Sequence, residues 1–215
     1  MLTWSEFYNQ FSLQLNEQQQ SAVQSVTGPV LLLAVPGSGK TTVLVTRLGY
    51  MIFCRGIAPE KILTVTYTVA ATKDMSERFA SRFGQDLADR LEFRTINGIC
   101  ARVIQYYGWK TARTAFSLLT DEKRISAILS AIYQKTEQVY PTEGDLKNVR
   151  TLITYIKNRM LNEKEIEALD ETAEIRISAI YKEYCKHLRE NQLMDYDDQM
   201  VYAYNMLRKI PWLLE

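Results

Sequence analysis

Six consecutive apolar residues, Val30-Leu31-Leu32-Leu33-Ala34-Val35, run directly into Pro36-Gly37-Ser38-Gly39-Lys40-Thr41. A short, continuous apolar run predicts a central strand of a parallel sheet, covered on both faces. The segment from Ala34 to Thr41 matches G-x-x-x-x-G-K-[ST] except that alanine stands first. Gly37 and Gly39 permit backbone angles that turn successive NH groups inward, and a helix opening at Lys40 adds positive potential where they converge. Such a turn cradles phosphates. Lys40 is expected to reach the outer phosphates of a nucleoside triphosphate, foremost ATP, and the Thr41 hydroxyl to complete the octahedral oxygen shell of Mg2+. Pro36, Gly37, Ser38, Gly39 and Thr42 belong to the same expected cofactor site, with Lys40 and Thr41 the residues that act on the phosphates. The motif alone leaves ATPase, kinase and GTPase open.

The surrounding pattern supplies a fold for that turn. Asn16 can cap a helix, Gln19 stands three residues on, and Ala22, Val23 and Val26 follow at helical spacing until Thr27-Gly28-Pro29. After Lys40 a helix is predicted to about Arg55, with Leu44, Leu48, Met51 and Ile52 facing the sheet and Gly56 stopping it. Ile62 to Tyr67 reads as a second strand, Val69 to Phe83 as a helix ended by Gly84, Leu91 to Thr95 as a third strand, and Asn97 to Tyr107 as a helix. Alternating strands and helices predict an α/β fold: a parallel sheet with helices on both faces.

Beyond Gly108 helical periodicity takes over. One apolar stripe holds Ile125, Ile128, Leu129 and Ile132; another Leu146, Val149, Ile153, Ile156 and Met160; a third Ile177, Ile180, Tyr181, Tyr184 and Leu188. The expected organisation is a nucleotide-binding domain over residues 1–108, an all-helical subdomain over 109–194, and a final helix, Tyr196 to Lys209, within 195–215.

Charge narrows the partners. With 26 basic and 25 acidic side chains the net charge is +1, so a nucleic acid would be held by a local patch and not by a bulk field. Cys54, Cys100 and Cys185 are too scattered for a metal site and read as buried free thiols in a reducing, cytoplasmic compartment. No stretch is apolar for long enough to span a membrane, and Met1 to Asn9 lacks a signal pattern. The only histidine, His187, reads as a solvated helix residue.

With the Gly-Lys-Thr turn in place, further segments resemble the superfamily 1 DNA helicases of the UvrD/Rep/PcrA type, in order and over nearly the whole chain. Leu15-Asn16-Glu17-Gln18-Gln19-Gln20 is similar to the family's adenine-reading Q motif, which implies that Gln19 pairs with the base edge through an amide that both donates and accepts. Leu63-Thr64-Val65-Thr66-Tyr67-Thr68 resembles the motif after the second strand, which implies that the Tyr67 ring stacks on single-stranded bases, with Thr68 beside it. Phe93-Arg94-Thr95-Ile96-Asn97-Gly98 resembles a Thr-Phe-His segment that touches the DNA backbone, which implies contacts from Thr95 and Asn97. Ile96 and Asn97 replace the aromatic and the histidine. Val69 and Ala70 stand where Asn and Lys are common, and Thr42 where an arginine usually packs on adenine. Met194-Asp195-Tyr196-Asp197-Asp198 resembles the Asp-Phe-Asp-Asp segment where the family's helical insertion returns to its first RecA-like domain. Its three aspartates read as helix capping and a solvated acidic turn, not a metal site.

The resemblance implies a P-loop NTPase fold, RecA-like, with an inserted helical subdomain. It also implies ATP with Mg2+ as cofactors, single-stranded DNA or single/double-strand junctions as partner, and a second RecA-like domain elsewhere in the parent protein. Hydrolysis in the family needs a strand ending in Asp-Glu, the Walker B strand. The one Asp-Glu preceding a helix here, Asp121-Glu122, reads with Thr120 as a helix cap. The chain is therefore expected to be an N-terminal portion, truncated before that strand and inactive alone. Two other readings stay open: a complete small P-loop phosphotransferase, for which Arg150, Lys157 and Arg159 offer only a thin solvated basic face, and a non-catalytic nucleotide-binding adaptor.

Overall fold

The computed structural model describes residues 1–214, which divide into two compact units, Met1–Ile96 and a second from Asn97 onward. Both are rich in helix, with short parallel strands. Among the described residues no helix is long and apolar enough to cross a membrane.

The first unit is built on an aromatic core. Helix α1 (Trp4–Gln10) begins with a capping box between Thr3 and Glu6 and carries Phe7, fully buried, into a cluster with Phe11, Phe53 and Phe83. Helix α2 (Glu17–Gln24) starts as the sequence predicts: Asn16 Oδ1 accepts from Gln19 N at 2.9 Å, and Gln19 Oε1 accepts from Asn16 N at 3.1 Å. Helix α3 (Lys40–Phe53) buries Val43, Val45, Leu48 and Tyr50. Leu44, expected to face a sheet, is 43% exposed, because α3 packs instead against α2 and the later helix over Val69–Phe83.

Strand β1 (Leu63–Thr66) leads into α4 (Val69–Phe83), α5 (Gln85–Arg90) and strand β2 (Glu92–Thr95). The two strands pair in parallel, Leu63 opposite Glu92 and Thr66 opposite Thr95. Helix α4 has the bounds expected from sequence, with Thr68 capping its start and Gly84, φ 102°, its end. Packing in this unit is close enough to require a glycine inside α3. A Cβ on Gly49 would lie 2.4 Å from the Phe83 ring.

The largest departure concerns Val30 to Val35. The expected central strand is absent: no backbone ladder joins this run to β1 or β2, and Leu31 and Leu33 are each 82% exposed. An apolar run forms a buried strand only when neighbours supply hydrogen bonds on both edges and packing on both faces. Among the described residues β1 and β2 pair only with each other.

In the second unit α6 (Ile96–Thr111) continues through Gly108, past its predicted end. A Cβ there would sit 2.8 Å from the Arg113 carbonyl oxygen. Strand β3 (Ser117–Leu118) precedes α7 (Glu122–Glu137), α8 (Glu143–Arg159), α9 (Glu163–Ala173), α10 (Ile177–Glu190), strand β4 (Leu193–Met194) and α11 (Tyr196–Lys209). The three predicted stripes meet in one core, with Ile125, Leu129, Val149, Ile153, Ile156, Ile177, Ile180, Tyr184 and Leu188 all buried. Ile128, Ile132, Leu146 and Tyr181 are half-buried against that core, and Met160 lies outside it. It takes a left-handed conformation at the end of α8 and is 52% exposed.

Strands β3 and β4 pair in parallel, Leu118 opposite Met194. Sequence periodicity missed both, since two residues carry no alternation to read. The three cysteines are free, as expected, but partly exposed and not fully buried.

Candidate functional site

The turn before α3 is shaped by its glycines. Gly37 and Gly39 take φ of 80° and 81°, a region side-chain-bearing residues avoid. Ser38 N donates to Val35 O at 3.2 Å and Ser38 Oγ to the same carbonyl at 2.7 Å, which closes the loop. Gly39 caps α3 without a side-chain acceptor, so the first NH groups of the helix remain available to an external anion at its positive end.

Lys40 arches back over the turn. Its Nζ donates to Ala34 O at 3.3 Å and to Val35 O at 3.0 Å. These are solvent-accessible contacts that a phosphate, a stronger acceptor for a cation, can displace. Thr41 and Thr42 are half-buried in the first turn of α3, and Pro36 is exposed at the loop's entry.

Gln19 belongs to this site by geometry. Its Nε2 donates to Ser38 O at 3.1 Å while its Oε1 holds the cap of α2. One amide thus ties helix α2 to the glycine turn. Arg47 strengthens the same junction by donating to Ala22 O at 3.3 Å.

A second group of residues sits at the carboxyl end of the β1–β2 pair. Tyr67 is 90% exposed, so its ring stands free of the core. Thr68 Oγ1 accepts from Ala71 N at 3.1 Å and its carbonyl accepts from the hydroxyls of Thr66 and Thr72, each at 3.0 Å. Its side chain therefore serves as the cap of α4. Thr95 lies opposite Thr66, at the same strand end. Asn97 opens the second unit, and its Oδ1 is buried without a hydrogen-bond partner. Only its amide NH2 end is suited to donate to a backbone phosphate.

The acidic segment after β4 departs from expectation. Capping holds: Asp195 accepts from Asp198 N at 2.8 Å and Asp198 accepts from Asp195 N at 3.3 Å. Solvation does not. Lys157, expected on a solvated face, has a side chain only 2% exposed, and its Nζ lies 2.7 Å from Asp195 and 2.8 Å from Asp198. Tyr184 donates to Asp195 at 3.1 Å, and Thr154 and Asn158 donate to Asp197.

Burial works against the charge on Lys157, but the two carboxylates outweigh it and hold its pKa above the ordinary lysine value. For Asp198 burial is the larger influence, raising its pKa despite Lys157. A signal was available: Lys157 stands four residues after Ile153, on a buried stripe, where a lysine needs a buried counter-charge. Among the described residues no cluster of His, Cys, Asp and Glu could hold a metal ion. Asp121, as predicted, caps α7 by accepting from Lys123 N and Arg124 N.

A glycine-bounded turn opening a helix beside short parallel strands, followed by a helical unit, is consistent with a RecA-like helicase domain. Residues 15–215 match the UvrD/REP helicase N-terminal domain, and the chain belongs to that family. It is 30% identical over 213 residues to the ATP-dependent DNA helicase PcrA of Bacillus subtilis (strain 168), covering 96% of this chain and 28% of that protein. It is 26% identical over 204 residues to the PcrA helicase of Staphylococcus aureus (strain NCTC 8325 / PS 47), covering 94% and 27%. With the PcrA helicase of Leuconostoc citreum the identity is 25% over 201 residues, covering 93% and 27%. The chain spans little more than a quarter of the length of these relatives.

Proposed function

We propose that this chain is the ATP-binding N-terminal portion of a DNA helicase that translocates on single-stranded DNA. The observation that carries nucleotide binding is the turn itself, with two left-handed glycines, a helix start without a side-chain cap, and one ammonium poised above; the family match over residues 15–215 supports the helicase part. In this reading the amides from Gly37 to Thr41 bind the triphosphate and Lys40 exchanges two backbone carbonyls for phosphate oxygens. Gln19 releases Ser38 to face the adenine edge, coupling α2 to occupancy of the loop. The donor set fits magnesium at the Thr41 hydroxyl, where the ion would neutralise charge on the outer phosphates.

The RecA-like sheet is completed in this reading by strands outside residues 1–215, placed along Val30 to Val35. The acidic pair and arginines for hydrolysis come with the rest of the motor. Tyr67 offers its ring to a base at the strand end, with Thr68 and Thr95 alongside, and Asn97 of the second unit is by itself a further donor for the DNA backbone. The phosphotransferase alternative has less support, since Lys157 is committed to Asp195 and Asp198 and leaves the basic face of α8 thinner still.

The full-length protein is expected to hydrolyse ATP faster in the presence of single-stranded DNA, and Lys40→Ala to abolish that turnover. Tyr67→Ala is expected to weaken single-strand binding by about five-fold or more with nucleotide affinity unchanged. Phosphate transfer to a small-molecule acceptor, with turnover indifferent to DNA, would overturn the proposal.

A further inference from the structure

A patch outside the nucleotide turn and the β1–β2 strand ends has the chemistry of a stacking platform. Trp109, on α6, is 73% exposed, Tyr106 44% and Trp212 39%. Their rings are mutually ordered, Tyr106 to Trp109 at 6.0 Å, Tyr106 to Trp212 at 6.1 Å, and Tyr107 stacked on Trp212 at 6.1 Å with 13° between planes. Lys110 Nζ lies 5.1 Å from the Trp109 ring and 5.7 Å from that of Tyr106.

The segments that carry these rings have charge of one sign. From Phe93 to Thr120 the sequence contains no Asp or Glu, and from Gln199 to Leu214 none again. Those segments carry Lys110, Arg113, Arg208 and Lys209, all exposed. Large rings are normally buried, so a cluster left in water marks a contact surface. Exposed rings on segments that carry cations and no acids suit a polyanion with flat apolar faces, which is what an unpaired nucleic-acid strand presents. A protein partner would require acidic groups to meet the lysines and arginines. Single-stranded DNA brings both complements in one polymer.

We infer that the α6 face around Trp109 and Tyr106 is a second binding surface for single-stranded DNA, in addition to the Tyr67 end of the β1–β2 pair. Bases stack on Trp109 and Tyr106 while Lys110 and Arg113 hold the phosphates. This rests on the reading of the chain as part of a DNA motor.

Two of the protein's three tryptophans, Trp109 and Trp212, lie in the patch, so their fluorescence reports on it. Titration with an oligothymidylate of about 16 nucleotides is expected to quench that emission. Trp109→Ala is expected to weaken binding by about five-fold or more, and Trp109→Phe to recover most of the loss. An abasic strand of equal length is expected to bind both proteins alike, because it has phosphates and nothing to stack. Lys110→Gln is expected to flatten the salt dependence of binding.

Wild-type affinity in Trp109→Ala and Tyr106→Ala, with Tyr67→Ala still weakened, would overturn the second surface and leave the motor reading intact. No binding of single strands by the unaltered chain would remove both. Equal loss on normal and abasic strands would also overturn stacking, as would a concentration-dependent dimer that Trp109→Ala abolishes, which would assign the patch to a second copy.

Discussion

The two units bury their apolar sequence to different degrees. In the second, the stripes of α7, α8 and α10 close on one another, and even a charged residue, Lys157, is enclosed with its counter-charges. In the first, a tight aromatic core around Phe7 and Phe83 coexists with Leu31, Leu33 and Val35 in water. Helices can satisfy their backbone bonds within themselves, whereas a strand depends on neighbours. A helical unit can thus close on local sequence, while an apolar run stays out of a sheet unless neighbouring strands meet it.

The largest effect expected is at the enclosed charge. Lys157→Ala leaves Asp195 and Asp198 buried without their cation and is expected to cost about 3 to 5 kcal/mol, seen as a large drop in the second unit's unfolding midpoint in urea. If the unit is as self-sufficient as its packing implies, unfolding of the first unit stays in place. The same pair gives a pH dependence. Because the folded pKa of Lys157 is raised, its stabilisation is fully present below the ordinary lysine value of about 10.4 and lost as pH rises through the folded value. Alkaline titration followed by tryptophan emission is expected to show this loss in the wild type and not in Lys157→Met.

Next comes the first unit's core. Gly49→Ala pushes a methyl into the Phe83 ring and is expected to cost about 1 to 3 kcal/mol as overpacking, measured by thermal unfolding. The smallest effect sharpens the contrast most. Leu31→Ser and Leu33→Ser, on side chains already in water, are expected to change stability by no more than about 0.5 kcal/mol in this chain. A loss of about 2 kcal/mol or more, typical of a buried leucine, would mean that the run is packed after all.

Much of the helical architecture was legible. Helices α4 and α11 have their predicted bounds because Thr68 and Asp195 cap their starts, while Gly84 ends one and Pro211 follows the other. The Asn16–Gln19 capping box could be read from spacing alone, as could the left-handed glycines before Lys40. What escaped depends on partners distant in sequence. β3 and β4 bring Ser117 and Leu118 beside Leu193 and Met194, and Lys157 is explained only by Asp195 and Asp198, which belong to a segment that also reads as a surface cap. The Val30–Val35 run shows the converse. Its apolar pattern specifies a buried strand, but pattern does not supply the hydrogen-bonding neighbours that burial requires.

We propose above all that the turn from Pro36 to Thr41 is a triphosphate cradle closed by Lys40. It is tested most directly by titrating a fluorescent ATP analogue with Mg2+ into the wild-type chain and into Lys40→Ala. Saturable binding that the substitution weakens by about tenfold or more is the predicted result, whereas equal affinity in the two proteins would contradict it.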